Sequence, residues 1–166
     1  MRWWVVAAAA TVGLAPAAAK RAPAPPTAGL IAVPADWQPI ALAAPVASAP
    51  GEVAQAWGDP GRGCYASVVV RTAPRQGVED ALVELRQHLA THVGLEGEEV
   101  SAVAATVRGR IVRGSLRGEV RAAVLGRGAG VAVAVAACAY NSREPAACAA
   151  RCQPVLASFD VAKVVP

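Results

Sequence analysis

The stretch VAVAVAACAY, residues 131–140, decides the fold because it is apolar on both faces of the strand that it predicts. Successive side chains of a strand point to opposite faces, so the valines at 131, 133 and 135 would line one face. The alanines at 132, 134 and 136 would line the other face. A strand that is apolar on both faces is typical of the middle of a sheet that is covered on both sides. We therefore predict a central strand whose alanine face lets a helix pack closely.

Two segments predict the helices that would cover this sheet. Residues Gly77–Val93 carry apolar side chains at i, i+3, i+4 and i+7, which is the spacing of one buried helix face, and Gly94 follows as a stop. Residues Arg143–Phe159 come directly after the central strand, and they place Cys148 and Cys152 on one helix face. We expect this last helix to pack on the alanine face.

The other segments predict strands and turns. The chain is strand-like from Val100 to Tyr140, after an acidic loop at Glu96–Glu99. Apolar and polar residues alternate over Val112–Val124, with a turn at Gly118 or at the Gly126–Gly128 cluster. The fold class is therefore α+β, an antiparallel sheet with helices packed on it. Shorter strands are predicted at Leu30–Val33, Pro39–Val46, Glu52–Trp57 and Cys64–Arg71.

The four cysteines predict two disulfide bonds if the chain is exported. Cys148 and Cys152 lie four residues apart on one helix, where a bond between them would have poor geometry, so each should reach the sheet. Because the chain turns back after Tyr140, we expect Cys138–Cys148 and Cys64–Cys152, with the swapped pairing as the second choice. Each bond would stabilise the fold by about 2–4 kcal/mol. This matters because an alanine and valine core buries little apolar area per side chain.

Two histidines offer an alternative use of the cysteines. His88 and His92 lie four residues apart on the first helix, as Cys148 and Cys152 do on the last. Two such pairs could form a tetrahedral zinc site, or a thiol nucleophile beside a histidine, if the helices met. Helices on opposite faces of a sheet do not meet, so we assign no catalytic residue, no metal ligand and no cofactor. We expect His92 on the buried helix face and His88 on its flank.

The amino terminus predicts export. Arg2 is followed by the apolar run Trp3–Leu14 and by small residues that suit cleavage, so residues 1–19 are predicted to be a signal peptide. A Pro/Ala-rich linker, residues 20–34, and a single domain, residues 35–166, would follow. No later stretch is long enough to cross a bilayer, since even Val131–Tyr140 has only about ten apolar residues. The expected location is the periplasm or the medium.

The net charge of the chain limits the classes of ligand that it is expected to bind. The formal net charge of +4 falls to +3 when a leader whose only charged residue is Arg2 is removed, which is too little to indicate nucleic acid binding. Arginines nevertheless follow the late strands, and Arg113, Arg117 and Arg121 are predicted to belong to a cationic surface for an anionic ligand or an acidic protein. The full series is Arg108, Arg110, Arg113, Arg117, Arg121 and Arg127.

Two aromatic residues mark a second candidate surface. Trp57 and Tyr65 flank the glycine-rich turn Gly58–Gly63, and together they predict an aromatic-edged lip for a ligand. The turn itself is not a phosphate loop, since a strand follows it and the Lys-Ser/Thr ending is missing.

The order of these segments resembles the PsbP-like superfamily of exported accessory proteins. The resemblance covers about residues 36–162 and rests on the strand CYASVVVR, one amphipathic helix, a long antiparallel meander and a closing helix that ends in Leu156-Ala157-Ser158-Phe159. It implies an α/β/α sandwich around an antiparallel sheet and a mostly non-catalytic function, and it assigns no functional residue to this chain.

These observations predict an exported, non-enzymatic binding or accessory domain. Its arginine and alanine bias is typical of a GC-rich bacterial genome, so the partner would be an envelope protein or an anionic surface ligand. Two alternatives stay open. One is a metal- or thiol-dependent enzyme that uses His88, His92 and a cysteine pair, and the other is a structural envelope protein that acts by oligomerisation.

Overall fold

The computed structural model describes residues 29–41, 52–141 and 143–164, and these residues form a seven-stranded antiparallel sheet with two α-helices. The strand order is β1-β2-β3-β7-β6-β5-β4, which places β7, the VAVAVAACAY segment, in the middle. The α+β class and the central strand are both confirmed. The strands are β1 (Gln38–Ile40), β2 (Glu52–Asp59), β3 (Cys64–Pro74), β4 (Leu95–Ser101), β5 (Thr106–Arg113), β6 (Leu116–Arg127) and β7 (Gly130–Tyr140).

The two helices, α1 (Val78–His88) and α2 (Pro145–Ala157), cover opposite faces of this sheet. Ala134 and Ala136 of β7 are fully buried in the same cluster as the apolar face of α2. Val131 and Val133 are buried in the other cluster, with α1. The small side chains of β7 therefore lie under α2, as its alternating pattern predicts.

The amino-terminal segment belongs to the core on the α2 side. Leu30 is completely buried and Ile31 is nearly so, although both fall in the stretch that the sequence assigns to the linker. The predicted strand Leu30–Val33 is wrong, because the segment is irregular and pairs with the end of α2 instead of with the sheet. The Asp160 amide donates to the Leu30 carbonyl oxygen at 3.0 Å. The hydrophobic core thus already includes Leu30, within the predicted linker.

A π-helical turn, Leu89–Val93, extends α1 and ends at Gly94. Gly94 has φ 73°, and a Cβ there would lie 2.6 Å from the Val112 carbonyl oxygen, so glycine is required for this stop. The wider turn changes the helical phase, and His92 is exposed whereas His88 is half-buried. The expected positions of the two histidines are therefore reversed.

The strands after α1 differ from their prediction in two places. Glu96–Glu99 is part of the edge strand β4 and contains a bulge, and is not a loop. The hairpin turns lie at Gly114–Ser115 and at Gly128–Ala129, so of the two predicted turn positions Gly118 is wrong and the Gly126–Gly128 cluster does lead into a turn. Gly118 lies inside β6, where a side chain would collide with the Cys138 carbonyl oxygen. Gly118 is therefore an interior residue of β6, and glycine is needed there because the neighbouring strand lies close.

Several predictions fall partly outside the described residues. The leader and most of the linker do, and of the predicted strand Pro39–Val46 only its start is seen, in β1. Within the described ranges, neither helix has the length and apolar character that a bilayer span requires.

Candidate functional site

Two disulfide bonds join α2 to the middle of the sheet. They link Cys64 to Cys148 and Cys138 to Cys152, with 5.5 Å between the Cα atoms of each pair. Both cysteines of the last helix reach the sheet as predicted, and the described residues contain no free cysteine. The preferred pairing was wrong, however, and the second choice is the one that forms.

Strand register explains the pairing. Cys64 lies opposite Tyr140, whereas Cys138 lies opposite Ala66, so Cys64 is two residues nearer to the turn that leads into α2. Two strand residues advance by about 6.7 Å, and four helix residues by about 6 Å. The first helix cysteine therefore meets Cys64, and the second, one turn farther on, meets Cys138.

The histidines lie on the opposite side of the sheet from these sulfur atoms. The rings of His88 and His92 are 4.8 Å apart at the end of α1, and both cysteines of α2 are in disulfides beyond the sheet. The described residues hold no cluster of three or more metal-ligating side chains. The zinc arrangement that requires the two helices to meet is therefore not formed.

His88 carries a pH dependence that can be tested. Burial is the main cause that lowers its pKa from 6.5 to about 4, and the charges of His92 and Arg71 act in the same direction. In the unfolded chain His88 therefore binds a proton below pH 6.5, whereas in the folded domain it does so only below about pH 4. The stability of the fold consequently falls as the pH drops from 6.5 to about 4. The loss should be at most about 2 kcal/mol, since His88 retains some contact with water.

Urea unfolding at pH 7.5 and pH 4.5 measures this effect on wild type and on His88→Gln. We expect His88→Gln to lose less stability than wild type on acidification. An equal loss in both proteins would show that the acid sensitivity comes from other groups.

The predicted aromatic lip does not form. Trp57 pairs with Ala66, so it points to the α2 side and packs against that core. Tyr65 is the residue before Ala66 and points to the other side, where it covers Gly58. A Cβ on Gly58 would lie 2.7 Å from the Tyr65 ring. The antiparallel register puts the two aromatic residues on opposite faces, and only their sequence positions are close.

The arginine series is also divided between the two faces. The two-residue turn at Gly114–Ser115 pairs Arg113 with Leu116, so Arg113 points to the α1 side, where it donates to the His92 carbonyl oxygen. Arg117 and Arg121 point to the α2 side. Arg117 donates to two backbone carbonyl oxygens, at 2.6 and 2.8 Å. The predicted surface of Arg113, Arg117 and Arg121 is therefore not one surface.

The α2 side of β4, β5 and β6 carries a mixed pattern of charge. α2 packs on β3, β7 and β6, and it leaves β4 and β5 open to solvent. Cross-strand register places Arg108 between Glu99 and Arg121, and it places Arg110 opposite Glu119. Arg108 donates to Glu99 at 2.7 Å. On this open face Arg108 is therefore ion-paired, and Arg110 lies opposite a carboxylate.

A shallow groove, open to solvent along its length, runs between this face and α2. One section of about 460 Å³ lies between β6 and α2, beside Gln153 and Pro154. The next section, of about 440 Å³, lies over β5 and is walled by Phe159 and Val161, the residues that follow α2. Arg121 lines both sections and so joins them.

Arg121 is the cation that the two sections of this groove share. It is half-buried, and it forms no ion pair or side-chain hydrogen bond with another described residue. Its cross-strand neighbours are Arg108, which Glu99 already pairs, and Ala136. Two like charges directly opposite each other are unfavourable, so an anion at this point would relieve the repulsion.

A second group of charges is structural and could not be found from the sequence. Arg151 of α2 donates to Asp36 at 2.5 Å and to Asp59 at 3.4 Å, and its guanidinium lies 5.5 Å from the centre of the Trp37 ring. A hydrogen bond from Arg151 lowers the pKa of Asp36, and one from Arg62 lowers that of Asp59. Asp36 and Arg151 are 115 residues apart, so no local pattern marks them as partners.

Comparison of the chain with protein-family models and with curated proteins finds no match.

Proposed function

We propose that the chain is exported to the periplasm or beyond and that its mature domain is a non-enzymatic binding or accessory domain of the bacterial envelope. The observation that carries this proposal is the pair of disulfide bonds that fixes α2 beside an open, charged half of the sheet. The bonds fix the position of one wall of the groove, and the other wall is the sheet itself.

The disulfides support export because such bonds persist in oxidising compartments and are rare in the bacterial cytoplasm. The predicted signal peptide, residues 1–19, supplies the route. All four sulfur atoms are used in these bonds, which leaves no thiolate for the nucleophilic or zinc-dependent alternative.

We also propose membership of the PsbP-like superfamily. An antiparallel sheet with one helix on each face is the architecture that the resemblance implies, and the closing helix ends at Ala157, inside the quoted Leu156-Ala157-Ser158-Phe159 segment and two residues before its predicted end at Phe159. A mostly non-catalytic superfamily agrees with a binding or accessory function.

The test is a count of free thiols on the exported protein. The full-length chain is expressed in a bacterium with its own leader, the periplasmic fraction is denatured without reductant, and the thiols are labelled. We expect cleavage near residue 19, no labelled cysteine before reduction and all four after it. A matched chain without residues 2–19 stays in the cytoplasm and should label without reductant.

Two results would overturn the proposal. One is retention of the full-length chain in the cytoplasm, and the other is an exported protein with two or more free thiols and bound zinc. A sizing column on the same sample tests the remaining alternative, because a single defined multimer would favour a structural oligomer over a binding domain.

A further inference from the structure

We infer that the groove beside Arg121 binds a monoanionic ligand with an apolar chain, such as a carboxylate on a short acyl tail. This inference rests on the proposed binding function and adds the chemistry of the ligand. It depends on three features of the groove: a cation without an ion-pair partner among the described residues, an apolar extension beside it, and acidic residues that limit the charge of the ligand.

The cation determines the head group. Arg121 is half-buried and unpaired within the described residues, and its cross-strand neighbour Arg108 offers a second guanidinium. A guanidinium binds a carboxylate with two parallel hydrogen bonds, and these bonds are stronger in a partly desolvated site. A carboxylate between the two arginines would also reduce the repulsion between them.

The acidic neighbours limit the ligand to a single charge. Glu119 lines the section of the groove under α2, and Glu99 lines the section over β5. Arg108 pairs with Glu99, so only part of its charge is available to a ligand. The repulsion from the two carboxylates would be about twice as large for a dianion as for a monoanion, and a single carboxylate needs only Arg121 as its partner.

The apolar extension determines the tail. Phe159 and Val161 wall the section over β5, and Ala123 lies on its floor next to Arg121. Phe159 also packs against the core on the α2 side, so this wall is held in place. An acyl chain that runs from Arg121 toward Phe159 would bury apolar surface of the ligand and of the wall together.

Octanoate, acetate and octanamide are the probes, and binding is followed by NMR and calorimetry on the mature, oxidised protein. Octanoate has both the charge and the chain, acetate has the charge alone, and octanamide has the chain alone. We expect saturable octanoate binding with a dissociation constant below about 1 mM, and no saturable binding of the other two. Shifted signals should include those of Ala123 and Phe159.

Three variants make the test specific. Arg121→Gln should weaken octanoate binding by about tenfold or more, because it removes the charge-assisted hydrogen bonds. Glu119→Gln should tighten binding by about twofold to fivefold, because it removes a repelling charge. Arg117→Gln is the matched control on the same strand and face but outside the groove, and it should stay within about twofold of wild type.

Binding of octanamide as tightly as octanoate, binding of octanoate to Arg121→Gln with the wild-type affinity, or no binding of octanoate would each overturn the inference. An exported protein without free thiols that fails to bind octanoate overturns the ligand chemistry and leaves the proposed function standing. Free thiols in the exported protein overturn the proposed function itself.

Discussion

Replacing both Cys64 and Cys148 by alanine should lower the free energy of unfolding by about 4.5 kcal/mol, and replacing both Cys138 and Cys152 by about 3 kcal/mol. The difference follows from loop length, because the first bond closes a loop with a sequence separation of 84 and the second one of 14. A longer closed loop removes more conformational entropy from the unfolded chain. Urea unfolding of the two double variants, monitored by circular dichroism, measures both losses.

Each double variant serves as the control for the other. Both remove two buried sulfur atoms from the interface of α2 with the sheet, so the cavity that each leaves should cost a similar amount. Equal losses, or a larger loss for the Cys138 and Cys152 pair, would contradict the entropic account of these bonds. Typical domains are stable by about 5–15 kcal/mol, so either loss is a large fraction of the total.

Ala136→Leu should destabilise the domain by about 3 kcal/mol, because α2 lies too close to β7 to accept a larger side chain. Ala136 is completely buried under α2, and the nearby disulfide holds the Cα atoms of Cys138 and Cys152 at 5.5 Å. The helix therefore cannot move away, and the added carbons must displace packed neighbours. Thermal or urea unfolding of the oxidised variant measures the loss.

Ala137→Leu is the matched control for this substitution. Ala137 is the next residue of β7, but it points to the α1 side and is only half-buried. The same chemical change should cost less than about 1 kcal/mol there. A similar cost at both positions would show that the close approach of α2 does not select alanine in β7.

The central strand and the two helices could be predicted because their patterns are local. The alternation of valine and alanine in β7 depends only on the period of a strand, and the apolar spacing of α1 only on the period of a helix. The use of all four cysteines in bonds between α2 and the sheet could be predicted from the number of cysteines and from the export that the amino terminus predicts. None of these inferences requires knowing which residues of distant strands lie opposite each other.

Register is what the sequence could not supply. The pairing of Cys64 with Cys148 depends on an offset of two residues between β3 and β7. The separation of Arg113 from Arg117 depends on a two-residue turn, and a change of one residue would reverse the faces. Glu96–Glu99 has the composition of a loop, and it becomes a strand because β5 pairs with it.

The groove could be recognised only from the fold. Arg121 resembles its neighbours in the sequence, and what sets it apart is that it lines both sections of the groove and has no hydrogen-bond or ion-pair partner among the described residues. Phe159 ends a helix in the sequence, whereas in the fold it forms the wall of a groove over a different part of the sheet. The proposed ligand chemistry follows from the contact between these distant segments.

Unfolding of the exported wild-type protein with and without reductant tests most directly whether the disulfide bonds keep α2 packed on the alanine face of β7. The account predicts a cooperative urea transition for the oxidised protein. For the reduced protein it predicts that the native circular dichroism signal is lost at room temperature before any urea is added. A reduced protein that stays folded with the same urea midpoint would contradict it.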